Sequence, residues 1–302
     1  MNIYRGRLGV LSVAALALAA VSAAQALPGV PPLSVHWEEL TAPQFAVAVE
    51  RAGGVAIIPM GILEKHGPHL PLGSDIMQAR AVALRAAEQE YAVVFPTYYF
   101  GQIFEARHQP GTVAYSAPLI WSVLEETVAE LARNGFAKII LVSGHGGNEH
   151  FVRYFCQAQL ASPREYAVLL FAPEADPEDD PDVKPLLRTG LDWHAGERET
   201  STMLAIAPGL VHLDDAGAES GADQGRLAGV PNAYTGIWWY ARFPNHYAGD
   251  GGAASAELGE VLLRKRAALL AAMIRDVKRD TATLALQRAF SAAAARPVPP
   301  RP

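Results

Sequence analysis

"AKIILVSG", residues 137–144, decides the fold. Ile139–Val142 are four branched apolar residues in a row, with no polar alternation, and a Ser-Gly pair closes the run. Strands buried on both faces of a parallel sheet read this way. Downstream, "NEHFVRYFCQAQLAS" (148–162) is a helix and "EYAVLLFAP" (165–173) another strand. Upstream, "APLIWSVLEETVAELARNG" (117–135) is an amphipathic helix closed by Asn-Gly. Further out, "GVAIIPMG" (54–61) repeats the buried-strand pattern, "DIMQARAVALRAAEQE" (75–90) is helical, and "YAVVFPTYYFG" (91–101) reads as a strand. "ERETSTMLAIAP" (197–208) and "ASAELGEVLLRKRAALLAAMIRDVKRD" (254–280) are later helices. Alternation of this kind predicts a layered α/β domain around a largely parallel sheet.

The ends of the chain read differently. Arg5 and Arg7 precede "LGVLSVAALALAAVSA", and "AQA" follows at 24–26. A basic start, an apolar stretch and small residues at the cut predict a secretory signal peptide over 1–26, cleaved after Ala26. The alternative is a retained anchor; no Cys lies near the cut to carry a lipid. The expected domain is 27–285, with a disordered Ala/Pro-rich tail over 286–302 ending in "SAAAARPVPPRP". The acidic, Pro-rich "PEADPEDDPDVKP" (173–185) is expected to be a solvated excursion; it lacks the central Gly of a calcium loop.

Half of the 302 residues are apolar and 19% are charged, enough for one large domain. Without residues 1–26 there are 23 basic and 31 acidic side chains, a net charge of about −8. This excludes an electrostatic case for nucleic acid or an anionic membrane. The single Cys156 excludes an intrachain disulfide and is expected to be buried and inert. The expected location is periplasmic or extracellular.

Three polar clusters interrupt the apolar pattern. "GILEKHGPHLPLGSD" (61–75) follows the first strand and supplies Glu64, His66, His69 and Asp75. "SGHGGNEH" (143–150) follows the strongest strand and supplies His145 and Asn148. "DWHAGERETS" (192–201) supplies His194, Glu197 and Glu199 at a helix start. In parallel α/β sheets the loops after strand carboxyl ends build the site, so the first two clusters share one edge. Mixed His and carboxylate ligands suit borderline divalent metals such as zinc. Each cluster has an ordinary structural use as well: Asn148 can cap a helix, and Glu199 suits a helix N-terminus without any metal. "SGHGGNEH" has neither a P-loop lysine nor a dinucleotide fingerprint.

"EKHGPHLPLGSD", "SGHGGN" and "HAGERETS" together resemble the creatininase family of creatinine amidohydrolase-like metal hydrolases. "PGT" at 110–112 after His108 agrees, as "GDGGAASAELGE" (249–260) does loosely, and the resemblance spans about 45–275. It implies an α/β/α sandwich carrying two divalent metal ions, usually zinc, sometimes manganese or iron. It also implies a small-molecule amide substrate, and family members are often hexamers. By resemblance, Glu64 ligates one metal, His66 the other, and Asp75 bridges them. His145 is the loop ligand, His194 is placed for proton transfer, and Glu199 opens the "ETS" helix. Creatinine-hydrolysing members carry a metal-binding Glu two residues after the loop His, whereas this chain has Gly147. Glu199 is then the candidate to complete the second metal site.

The expected reaction is attack of a metal-bridging hydroxide on an amide carbon. His194 protonates the leaving nitrogen, with Glu197 either the other candidate or a surface-facing charge at a helix start. His69 is read either as a partner orienting Glu64 or a metal-bound water, or as a brace of the loop. With Asn148, it is grouped with the substrate-binding candidates. "YTGIWWYARF" (234–243) is read either as one wall of the substrate pocket or as an edge strand or subunit interface; as a strand it would let at most one of Trp238 and Trp239 line the pocket. Two other readings stand beside this one. One is a non-catalytic periplasmic protein binding metal or a small molecule. The other is a two-metal phosphoesterase, for which Lys65 and Arg198 are the nearest basic residues.

Overall fold

Val55–Met60 (β1) and Lys138–Ser143 (β3) pair in parallel at the centre of a four-stranded sheet of order β2-β1-β3-β4. Val93–Val94 (β2) and Ala167–Leu170 (β4) complete it, also in parallel. The computed structural model describes residues 33–173 and 180–298. The expected signal peptide, residues 174–179 and residues 299–302 lie outside the described residues. The helices, in chain order, are α1 Ala42–Arg51, α2 Ser74–Gln89, α3 Ala117–Arg133, α4 Glu149–Ala158, α5 Glu197–Ile206, α6 Trp238–Arg242, α7 Ala256–Arg279 and α8 Ala282–Ala294.

The period of two along each strand divides the core. Ala56, Ile58 and Met60 face one way with Ile139 and Leu141, against Leu124 and Val128 of α3 and Val152 and Phe155 of α4. Val55 and Ile57 face the other way with Ile140 and Val142, against Val82 and Ala86 of α2 and Leu263, Leu270 and Ile274 of α7. The fold is therefore the expected α/β/α sandwich. Burying each large aliphatic side chain contributes roughly 1.5–3 kcal/mol, which is why the central strands carry no polar face. Ser255 caps α7 by accepting from the Leu258 amide at 3.2 Å, and Lys278 and Arg279 sit in its last turn, where the helix dipole favours cations. Among the described residues, no helix is long and apolar enough to cross a membrane.

Several local expectations change. The strand expected over 91–101 is only two residues long, because Pro96 has no N–H for the ladder. The chain still tracks β1 beyond it, with Gly61 donating to the Tyr98 carbonyl at 3.0 Å. The aromatic stretch around Trp238 is the helix α6, not a strand. Helix α8 occupies much of the expected tail: alanine is the best helix former, and Gln287 fastens the helix to the Tyr166 carbonyl at 3.0 Å. The described part of the acidic segment is largely exposed but is tied to α7 at two points. Lys265 of α7 holds Asp180 and Asp182, and Val183 is buried against Leu258 and Leu262. Cys156 is half-buried, and burial pushes its thiol up to about 11.

Candidate metal centre

Two glycines bring the ligand-bearing segments together. A Cβ at Gly61, just past β1, would lie 2.6 Å from the Asp75 carbonyl carbon. One at Gly144, just past β3, would collide with the Asp75 carbonyl oxygen. The first turn of α2 is thereby wedged between the two central strand ends, and it carries Asp75. We predict that Gly144→Ala displaces this turn at a cost of about 1–3 kcal/mol. The check is metal content together with the denaturant midpoint; both fall.

Glu64, His66, Asp75, His145, His194 and His246 are all buried and converge at this edge. Asp75 faces two imidazoles with different oxygens: Oδ1 lies 2.9 Å from His66 Nε2, and Oδ2 lies 3.2 Å from His145 Nδ1. Glu64 Oε1 is 2.8 Å from His145 Nδ1 and 3.9 Å from His66 Nε2. His194 Nδ1 stands 3.8 Å from Glu199 Oε2, and the Ala195 amide donates to that oxygen at 2.6 Å.

The far sides of the rings fix their tautomers. In the neutral rings, His66 Nδ1 donates to the Glu64 carbonyl at 3.2 Å, His145 Nε2 to the Gln102 carbonyl at 2.9 Å, and His194 Nε2 to the Lys65 carbonyl at 2.8 Å. Each ring then turns a bare nitrogen toward the carboxylates, the arrangement that metal-ligating histidines use. Glu64 Oε1 and Asp75 Oδ2 are buried without a hydrogen-bond partner. Bare imidazole nitrogens beside orphaned carboxylate oxygens fit a divalent cation. Three triads have ligand atoms within 4.8 Å of one another: Glu64-His66-Asp75, His66-His194-Glu199 and Glu64-His194-His246.

The electrostatics agree. Burial works to lower the His66 pKa, but the charges of Asp75, Glu64 and Glu199 outweigh it and push it up to about 10. His145 is likewise raised against its burial by Glu64 and Asp75. Burial of Glu64 opposes its charge, yet His145 and His194 hold its carboxyl well below the usual range. Without a cation, protons on the imidazoles balance the carboxylates, and a bound metal would displace them.

His246 was missed in the sequence. Its Nε2 donates to Glu64 Oε2, and its Nδ1 accepts from Trp239 Nε1 at 2.8 Å. Burial lowers its pKa to about 4, which keeps the ring neutral. It has φ of 54°, a left-handed conformation that few non-glycine residues adopt. The backbone pairing of His194 with Ala248 places its loop, and His108 and Gln109 clamp that loop by donating to the Pro244 carbonyl. The segment after His108 thus serves the site indirectly. "NHYAGDGG" (245–252), a Gly-rich run with one His, was the available signal.

Other expected site residues sit elsewhere. Glu197 is fully buried, and its carboxylate accepts from the Arg188 and Thr189 amides and the Thr189 hydroxyl, so it anchors a loop. His69 donates from Nε2 to Thr200 Oγ1 at 2.8 Å, and burial lowers its pKa to about 4. Asn148 is buried and makes no cap; its Oδ1 accepts from the Gln102 amide at 2.9 Å. Neither His69 nor Asn148 lines the cavity over the centre. That cavity holds about 400 Å³ and is bounded by Glu64, His145, His194, Glu199 and His246 on the centre's side. Tyr234, Trp238 and Trp239 line it too, so both tryptophans face it, as a helix allows and a strand would not.

An α/β/α sheet with this carboxylate–imidazole cluster at its strand ends defines a metal-binding hydrolase. The chain belongs to the creatininase family: the family description "Creatinine amidohydrolase" matches residues 38–274. It is thus a hydrolase acting on amide bonds. It is 30% identical to the creatinine amidohydrolase of Pseudomonas putida, over 60% of this chain and 75% of that protein. It is 34% identical to the mycofactocin precursor peptide peptidase of Mycolicibacterium smegmatis, over 53% of this chain and 61% of that protein. A creatinine amidohydrolase crystal structure superposes with a TM-score of 0.71 at 26% identity, covering 83% of this chain and 100% of that one. A manganese form of creatininase gives 0.69 at 27% identity, covering 82% and 100%.

Proposed function

We propose that this chain is a two-metal amidohydrolase that cleaves the C–N bond of a small linear or cyclic amide. The observation that carries the reading is the pair of orphaned oxygens, Glu64 Oε1 and Asp75 Oδ2, facing bare ring nitrogens in a buried site. Asp75 offers one oxygen to each side. Glu64 and His145 would hold one ion, and His66 with Glu199 the other; zinc, manganese and iron all suit these donors. Divalent ions held there would supply Lewis acidity for the amide carbonyl and would lower the pKa of a coordinated water toward neutral pH. His194 lines the cavity and presents Nδ1 to it beside Glu199, so that nitrogen is the proposed carrier of the leaving group's proton. His246 holds Glu64 in place.

The relatives act on creatinine and on a precursor peptide, by their names. Gly147, in place of a carboxylate ligand, argues against creatinine itself here and for another cyclic amide or a short peptide. The phosphoesterase reading loses its support, since Lys65 is engaged with Glu219 and Arg198 with Asp192. Export and homo-oligomer formation remain part of the proposal, resting on residues 1–26 and on the family resemblance respectively.

The test is metal per subunit in wild type and Glu199→Ala, with hydrolysis of lactams, formamides and short peptides followed alongside. The expected result is about two ions in wild type and about one in the variant, with activity lost. Two ions in both would remove Glu199 from the ligand set. A wild type that takes up no zinc or manganese would sink the hydrolase reading.

A further inference from the structure

Gly147 is crowded although it has no side chain. A Cβ there would lie 2.9 Å from Glu105 Oε1. The carboxylate of Glu105, from the loop between β2 and α3, therefore occupies the space over Gly147. It is set there deliberately. Gln102 Nε2 donates to both Glu105 oxygens, at 2.9 and 3.2 Å, while Gln102 Oε1 accepts from the Phe104 amide at 2.8 Å and fixes the amide's orientation. The Gln102 amide is in turn held by Asn148.

Glu105 lines the cavity over the metal centre, half-buried, and its hydrogen bonds come from a neutral amide. Of the other carboxylates at the cavity, Glu64 and Glu199 belong to the metal centre, and Glu149 is engaged with Arg153 at 3.1 Å. No lysine or arginine is among the described residues lining this cavity. The same cavity carries an aromatic wall: Tyr234 and Trp238 have ring centroids 6.2 Å apart, and Trp238 and Trp239 5.3 Å. A pre-organised anion with no lysine or arginine partner at the cavity, together with aromatic rings lining the same cavity, is chemistry that recognises an organic cation. A half-buried carboxylate has lost part of its hydration and gains most from an incoming positive charge. The volume, about 400 Å³, suits a small molecule.

Resting on the hydrolase reading above, we propose that the substrates are amides bearing a cationic amino or guanidino group. Glu105 is the charged anchor, and Tyr234, Trp238 and Trp239 are the wall over which the cation lies. Glu105 is a specificity residue here. A Cβ at 147 would crowd both His145 Nε2 and the Glu105 carboxylate, so glycine leaves the room that Glu105 uses.

The test uses two ligands of the same shape, Nα-acetyl-L-argininamide and Nα-acetyl-L-citrullinamide, which differ by guanidinium against urea. Binding to the zinc-loaded full chain is followed by tryptophan fluorescence and by calorimetry. The expected preference of wild type for the guanidinium ligand is about tenfold or more. Glu105→Gln, checked for zinc content and far-UV circular dichroism, brings the ratio to within about twofold. Trp238→Leu, on the other wall, lowers the ratio independently. Equal affinities in wild type, no binding of either ligand, or an unchanged ratio in both variants would overturn the proposal. Hydrolysis is scored separately. Zinc-dependent cleavage without a cation preference sinks this inference alone, and a preference without cleavage of any amide sinks the hydrolase reading instead.

Discussion

Asp75→Asn is expected to abolish the paired metal site, with metal per subunit falling from about two to below one and kcat falling about 10³-fold. The argument starts from shape. Asparagine fills the same volume, so the wedge of α2 between Gly61 and Gly144 survives. What changes is one oxygen. Oδ1 and Oδ2 of Asp75 face His66 and His145 separately, so the amide nitrogen must replace an acceptor on one side or the other. An NH₂ group donates and ligates no metal, and the site also loses a negative charge that would offset the cations. Lewis-acid stabilisation is worth several kcal/mol, and about 4 kcal/mol corresponds to the 10³-fold loss given above. Elemental analysis and steady-state kinetics read the result, with far-UV circular dichroism as the control for folding. An asparagine variant that retains two ions after dialysis would show that Asp75 is not shared.

The legibility of this centre in the sequence followed from how each residue is held. Glu64, His66, Asp75 and His145 directly follow, or fold back onto, β1 and β3. Strands buried on both faces announce themselves by composition, so the loops after them could be located. His246 was not legible because it arrives through an irregular segment after α6, and its placement depends on a non-local pairing with residue 194. Glu197 misled for a related reason. A carboxylate at a helix start reads as exposed, and only the fold shows that Arg188 and Thr189 come back to it. The aromatic stretch misled through propensity: aromatic residues favour strands, but here Trp238–Arg242 form a short helix beside the cavity. Glu105 carried no local signal at all. Its position became meaningful once Gly147 lay beneath it.

Trp239→Phe is expected to weaken zinc affinity about 10- to 100-fold, although Trp239 touches no ligand atom that would bind the ion. The indole Nε1–H donates to His246 Nδ1 at 2.8 Å. That bond leaves the imidazole proton on Nε2, where it donates to Glu64 Oε2. Glu64 is thus gripped by one oxygen and presents the other, Oε1, bare toward His145 and His66. Phenylalanine retains an aromatic face on the cavity and removes only the donor. His246 can then take the other tautomer, with an acceptor facing the Glu64 carboxylate, and two acceptors in contact repel. Glu64 would swing or rotate, and the ligand set would loosen. Zinc competition against a chromophoric chelator reads this directly. A role confined to the cavity wall would change KM for substrate and leave zinc affinity alone. His246→Gln, which restores a donor to Glu64 through a side-chain amide, is expected to retain more affinity than His246→Ala. If Trp239→Phe binds zinc as tightly as wild type, the indole is only a wall, and the φ of 54° at His246 must be held by the Pro244 clamp and the Ala248 pairing alone.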